Sequence, residues 1–324
     1  MTDTKFNFVI DCTDAELPTY TGMSLETQPA VSHRRDLCWC LQAYSILAER
    51  QKLPVVCSNC LLPDAINIVH SEQLLRLRGS KSDFIVCVQA DYPKRRWAHY
   101  HLVQNEKQLD AGSSLVPLWI QPGLIKRDSE RRGVHCVAYA GQVFGNLAGD
   151  AQMWKSLLAP HGLEFVFLPE GAYHDLSSVD VLIGIRSFDT KPHNRKPPSK
   201  LINAWHARIP FIGGYDSAFR QVGQPEEDYL LATTPQQIVA AVLRLRDEAG
   251  LYEKLVRNGL KKSARYTTPT IASVWEDILT GPVRQRYRQW TAHPAFEQAR
   301  FQALLALSLL EHGCKQAIKR KFRA

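Results

Sequence analysis

The stretch "KPPSKLINAWHARIPFIGGYDSAF", residues 196–219, decides how the chain is read. Two prolines between lysines stiffen the approach to a helix that begins near Ser199. Leu201, Ala204 and Trp205 give that helix an apolar face. The run "PFIGG" then reads as a strand ending on Gly213 and Gly214. A strand, a basic loop, a helix start and a second strand form one winding of an open parallel sheet. In such sheets ligands sit at the carboxyl ends of strands, beside helix N-termini. The free N–H groups of the helix start can hold anionic oxygens. Lys196 and Lys200 bring charge to the same end. Arg186, closing "VDVLIGIR", adds a planar fork. His193 lies in the basic loop, and Gly213 and Gly214 would let backbone approach a ligand. The chemistry predicts a diphosphate cradle. A solvated basic loop over a helix that only packs is the competing reading.

Outward from this stretch, strand-like and helical runs alternate. "FNFVIDC", "LPVVCSN", "AINIVHS", "DFIVCVQAD", "YHLVQN" and "VPLWIQPG" precede a charged segment, "IKRDSERRG" (125–133). The pattern restarts with "VHCVAYAG", "LEFVFLP", "VDVLIGI", "PFIGG" and "DYLLAT", with helices between and after them. Strands apolar on both faces belong in parallel sheets covered by helices. The predicted fold class is α/β: two Rossmann-like parallel-sheet domains facing a cleft, with a C-terminal helical tail. The expected boundaries are 1–130, 131–283 and a basic extension 284–324. Thr234-Pro235 reads as a helix cap followed by a first-turn proline.

The 324 residues carry a formal net charge of +8. Nine Lys/Arg against two Glu from Arg284 onward account for most of it. A nucleic-acid protein would spread a basic face over its folded body, so that class is disfavoured. A basic tail points first to an acidic surface or partner, including peripheral contact with a membrane. In the tail, Phe301, Leu304, Leu305 and Ile318 mark an apolar helical face. No apolar run nears the ~18 residues that span a bilayer. No signal peptide is read at the start, and a protein of the cytoplasm or of the inner face of the membrane is expected. Cys57 and Cys60 form a lone C-x-x-C, and Cys38 and Cys40 are too close for a usual zinc pair. Cys87 and Cys136 sit in strands as small hydrophobes. No D-x-D motif stands out, so no metal and no bound cofactor are expected.

The run "SSVDVLIGIRSF…KPPSKLINAWHARIPFIGGYDSAFRQV…DYLLATTPQQIVAAVLRLRDEAGLYEKLVRNG" resembles the donor-binding domain of GT-B glycosyltransferases, close to family 4. "NAWHARIP" occupies the place of that family's "EAMAxGxPVI" helix. The resemblance covers about 175–280. It implies a sugar moved from a nucleotide-diphosphate donor to an acceptor such as a lipid-linked glycan or surface polysaccharide. Two departures stand out. The family's Glu-x7-Glu pair falls on Arg195 and Asn203. The phosphate-binding Arg and Lys after the domain's first strand are replaced in "AYAGQVFGNLAGD" by Gln142 and Asn146. Candidate donor contacts are therefore Arg186, Lys196, Lys200, Asn203, His193, Gly141, Gln142, Gly213, Gly214, Asp216 and Ser217.

In the first half, three candidate acid–base residues stand at strand ends: His70, Asp91 and Asp14. His70, with Glu72 nearby, ranks first because a histidine titrates near neutrality. Gly22 lies in the loop after the first strand, a candidate acceptor loop. His99 and His101 flank an apolar strand and read as structural. Two other classes stay open: a GT-B-like binding subunit without catalysis, and a sugar-nucleotide epimerase.

Overall fold

The computed structural model describes residues 4–321, with side chains described through Glu311. Eleven strands lie in two sheets among the described residues. The first contains β1 (Phe6–Val9), β2 (Val55–Ser58), β3 (Ile66–His70), β4 (Phe84–Val88), β5 (Tyr100–Val103) and β6 (Ser113–Leu115). Their order is β2-β1-β3-β4-β5-β6, and every pairing is parallel. The second contains β7 (Cys136–Ala140), β8 (Glu164–Leu168), β9 (Val181–Gly184), β10 (Phe211–Gly213) and β11 (Leu230–Leu231). Their order is β11-β10-β9-β7-β8, again all parallel.

The apolar runs explain this. Every residue of β3 and β4 is buried, as strands covered by helices on both faces require. The predicted strand over "VPLWIQPG" lies slightly earlier, at β6, and 116–123 runs on as a loop. Thr234 caps the helix Pro235–Asp247 by accepting from the Gln237 N–H, with Pro235 in the first turn.

In each sheet the chain winds both ways from one point. The loops after β1 and β3 diverge in the first sheet, and those after β7 and β9 in the second. These divergence points open the crevices in which doubly wound sheets bind ligands. The helix Ser199–Ala207 sinks Leu201, Ile202, Ala204, Trp205 and Ala207 into the second domain. Gly259 lets the helix Leu251–Ser263 lie against it: a Cβ there would meet Trp205 Cδ1 at 2.4 Å.

The chain then returns to the first domain. The helix Thr268–Ile278 sends Ile271 and Trp275 into the core formed by Phe6, Phe8 and Trp119, and Leu279 and Val283 follow. Trp275 stacks on Trp119 at 6.0 Å. Glu276 pairs with Arg50 at 2.5 Å. The expected boundary at 283/284 thus falls inside a helical run that packs on the first sheet, because its apolar stripe fits that sheet's uncovered face. The tail packs back as well. Phe301, Leu304 and Leu305 of the helix Pro294–Lys321 meet Val9, Val69, Ile85 and Trp97 on the sheet's other face. Ile318 lies outside the described side chains.

Candidate functional site

The carboxyl ends of both sheets face one another across a cleft of about 220 Å³. His33, Arg35, Trp39, His70 and Asp91 line it from the first domain. Gln142, Asn146, Arg186, Lys196, Ser199 and Lys200 line it from the second. A smaller cavity of about 160 Å³ adjoins it, sharing Ser199 and Lys200 and adding Gly141 and Asn203. The largest groove, about 770 Å³, lies at the linker and the opposite end of the second sheet, bordered by Arg132, Arg208 and Tyr252. It shares no residue with the cleft.

Three cations converge. Arg186 Nε donates to Asp216 Oδ2 at 2.5 Å and Nη1 to Asn146 Oδ1 at 2.9 Å. Lys196 Nζ donates to Asp91 Oδ2 at 2.5 Å and to the same Asn146 Oδ1 at 2.9 Å. One amide oxygen therefore lies between two cations, where an anionic oxygen would bond both more strongly. Lys200, partly buried at the helix start, has no carboxylate partner among the described residues. Its ammonium lies 4.9 Å from the Tyr139 ring centroid. Burial, then Arg186 and Lys196, lower its pKa to about 7. Gly141 makes room for it: φ is 139°, and a Cβ would stand 2.9 Å from Nζ.

Asp216 is fully buried, and burial raises its pKa against the pull of Arg186. Its Oδ1 finds no partner among the described residues. Asp91 goes the other way: burial would raise its pKa, but the bond from Lys196 lowers it.

His70 departs from the expected base. It is buried, and Nδ1 accepts the Glu72 N–H at 3.3 Å. The proton then sits on Nε2, which has no partner among the described residues. Burial lowers its pKa to about 4. At neutral pH it is a hydrogen-bond donor rather than a base.

The other sequence candidates fall elsewhere. Asp14 is exposed, accepts from Asn59 Nδ2 at 2.7 Å, and does not line the cleft. Gly22 borders a separate groove with Tyr44 and Thr268. Gly213 serves packing, since a Cβ would press on Phe211, Phe219 and Tyr229. Gly214 lies against the backbone of Gly184 and Ile185. His193 shares a hydrogen bond with Ser187 Oγ at 2.8 Å outside the cleft lining. Asn203 Oδ1 accepts from the Gln121 N–H at 3.2 Å. Ser217 Oγ accepts from Asn105 Nδ2 at 2.8 Å, which ties the domains together. His99 and His101 are buried and hydrogen-bonded in the first sheet, as expected.

The sequence reading missed Arg35, Tyr92 and Asn105. Arg35 Nη1 donates to Glu72 at 2.7 Å and to the Tyr92 hydroxyl at 2.5 Å, and Nη2 reaches Gln142 at 3.2 Å across the cleft. Asn105 Nδ2 also donates to the Lys196 carbonyl at 3.0 Å, fixing that loop. One signal was available. Arg34 and Arg35 precede a helix, where positive charge opposes the helix dipole and needs acidic partners. The seven described cysteines are unbridged. Burial pushes the Cys38, Cys57 and Cys87 thiols up to about 12. No cluster of three or more His, Cys, Asp or Glu that could hold a metal ion occurs among the described residues.

No protein-family model and no curated protein sequence matches the chain. Solved structures do match. HepE of Anabaena, in complex with UDP and glucose, superposes with a TM-score of 0.52 at 9% identity, over 86% of this chain and 99% of HepE. The same protein in complex with UDP-glucose gives 0.50 at 11%, over 85% and 99%. The pneumococcal O-GlcNAc transferase GtfA, in complex with UDP and GlcNAc, gives 0.48 at 10%, over 75% of this chain. The chain spans 60% of GtfA's length. At these identities the likeness shows the fold alone, the GT-B architecture of glycosyltransferases.

Proposed function

We propose that the protein is a glycosyltransferase that binds a nucleoside-diphosphate sugar in the interdomain cleft and transfers its sugar to a glycan acceptor. The observation that carries this is the meeting of Arg186, Lys196 and Lys200 with the start of the helix Ser199–Ala207 at one wall of the cleft. A leaving diphosphate needs preorganised positive charge, and an oriented helix start and fixed cations supply it without reorganisation. Lys200 takes up a proton as the diphosphate enters, because an adjacent anion raises a lysine pKa. Asn146 yields its place between Arg186 and Lys196 to a phosphate oxygen. From the opposite wall, the His70 Nε2–H donates to a sugar or phosphate oxygen.

The complexes of HepE with UDP and with UDP-glucose make uridine donors the first to test. A lipid-linked or surface glycan as acceptor rests on the basic C-terminal segment.

A second reading, a nucleotide-binding subunit without transfer, has a specific observation in its favour. Asp216 and Asp91 neutralise two of the three cations, and Asn203, where the resembled family has a Glu, is bonded to Gln121.

Calorimetric titration with UDP, GDP, dTDP and their sugar conjugates tests the cradle. Micromolar binding of one nucleotide, weakened at least tenfold in Lys200→Ala, supports it. No binding at millimolar concentration removes it. Binding without release of nucleoside diphosphate in the presence of pooled glycan acceptors moves the second reading ahead.

A further inference from the structure

Through Glu311 the helix Pro294–Lys321 is apolar on two sides, and only one is covered among the described residues. Phe301, Leu304 and Leu305 pack onto the first sheet. Opposite them, Phe296, Ala299, Ala303, Ala306, Leu307 and Leu310 face solvent at helical spacings of three and four. Phe296 and Leu310 are each 67% exposed, and Leu307 42%. A stripe of this length on the surface of a folded domain marks a contact surface.

Charge identifies what covers it. The helix's two acids are occupied: Glu297 pairs with Arg286 at 2.6 Å, and Glu311 lies 3.6 Å from Arg96. Beyond Glu311 the sequence adds Lys315, Lys319, Arg320, Lys321 and Arg323 and no acid. The segment before the stripe adds the exposed Arg288, while Arg286 is spent on Glu297 and Arg284 packs over the Phe6 ring. A second copy of the helix would therefore bring cations onto cations in either direction of pairing. An anionic surface with an apolar interior satisfies both features at once. No described helix is long and apolar enough to cross a membrane, so a helix held by such a surface would lie along it.

We propose that the outer face of the helix Pro294–Lys321 docks the protein on anionic lipid, with Phe296, Leu307 and Leu310 entering the interface and the flanking Lys/Arg meeting headgroups. An interfacial helix gains from buried apolar area and from attraction to anionic lipid together, and a single basic residue near the surface is worth roughly fivefold in affinity. The proposal does not depend on the transferase reading, since none of these residues lines the cleft.

The test is co-sedimentation of the full chain with vesicles of phosphatidylcholine, and with vesicles in which about a third is phosphatidylglycerol. Phe296→Glu and Leu310→Glu sit at exposed positions, and unchanged melting and nucleotide affinity report intact folding. Expected are binding to the anionic vesicles alone, weakening as salt is raised, and a loss of about tenfold or more in each variant. Absence of wild-type binding overturns the proposal. So does binding unchanged in both variants, or a wild-type dimer in sedimentation that Leu310→Glu dissociates, which assigns the stripe to a second copy.

Discussion

The second sheet carries a buried aspartate at each end, and the two are treated in opposite ways. At the linker end, Asp180 accepts from Arg127 Nε at 2.9 Å, from Arg131 Nε and Nη2 at 3.0 and 2.8 Å, and from the His135 and Cys136 N–H groups at 2.9 Å. Burial would raise its pKa, but Arg131 and these N–H groups hold it below the usual carboxylate range. At the cleft end, Asp216 faces Arg186 with one oxygen and leaves the other without a partner among the described residues, and its pKa is raised. Both side chains are fully buried. The linker end is a closed network whose bonding capacity is used up. The cleft end keeps spare capacity: an orphan oxygen, an amide oxygen between two cations, and a lysine with no carboxylate partner among the described residues. A site built for a ligand differs from a structural ion cluster in what it leaves unsatisfied.

The largest effect tests the closed end. Asp180→Asn leaves Arg127 and Arg131 short of a carboxylate where the linker meets β7. Breaking a buried pair costs about 3–5 kcal/mol, and the lower figure is expected because Arg131 is 30% exposed. Urea unfolding should show this loss while the folded fraction binds nucleotide as before. The sign with pH follows from the lowered pKa. The carboxylate's contribution is present above the unfolded value of about 4 and is lost as pH falls through the folded one. The variant should therefore lose less stability on acidification than the wild type. A nucleotide affinity that falls along with stability would erase the distinction between the two ends.

The open end is read through pH. Lys200 titrates at about 7 in the folded protein, against about 10.4 unfolded. Between these values the unfolded chain binds the extra proton, so stability rises with pH across that window; below 7 both states are protonated and the penalty is full. Anion binding runs the opposite way. The diphosphate needs the ammonium, so affinity for a nucleotide sugar should fall as pH rises above 7, by up to about tenfold per unit. Lys200→Met should flatten that profile. A wild-type affinity constant from pH 6 to 9 would sink the assignment.

Much of this was legible in the sequence, for a local reason. β3 and β4 announce themselves because parallel strands are apolar on both faces. Arg186, Lys196 and Lys200 follow from strand ends and a helix start, which lie within fifteen residues of one another. What stayed hidden depends on distant segments meeting. Arg35 bonds Gln142, and Asn105 bonds Lys196 and Ser217, across loops of two domains. Ile271 and Trp275 read as a helix whose partner no local pattern names, and continuity assigned it to the wrong sheet. Gly213 and Gly214 fit a ligand loop until the aromatic rings and strand backbone around them are seen. His70 looked like a base because its burial and the Glu72 N–H cannot be read from spacing.

The smallest effect sharpens the comparison at its weakest contact. Asp91 and Lys196 pair across the cleft with side chains 34% and 21% exposed, and pairs of that exposure contribute about 0–1 kcal/mol. Lys196 must leave Asp91, in part or wholly, to reach a diphosphate, so the pair opposes binding as well as latching the domains. Asp91→Asn keeps the shape and removes the charge. It should raise nucleotide affinity by about two- to fivefold, with a melting temperature lowered only slightly, because Asn105 still holds the Lys196 carbonyl. Turnover decides between a latch and a base. A latch gives a rate within a fewfold of the wild type, whereas loss of a general base costs about a hundredfold or more. A large fall in rate with unchanged affinity would make Asp91 part of the chemistry, and spare capacity at the cleft end would then extend to the first domain's wall.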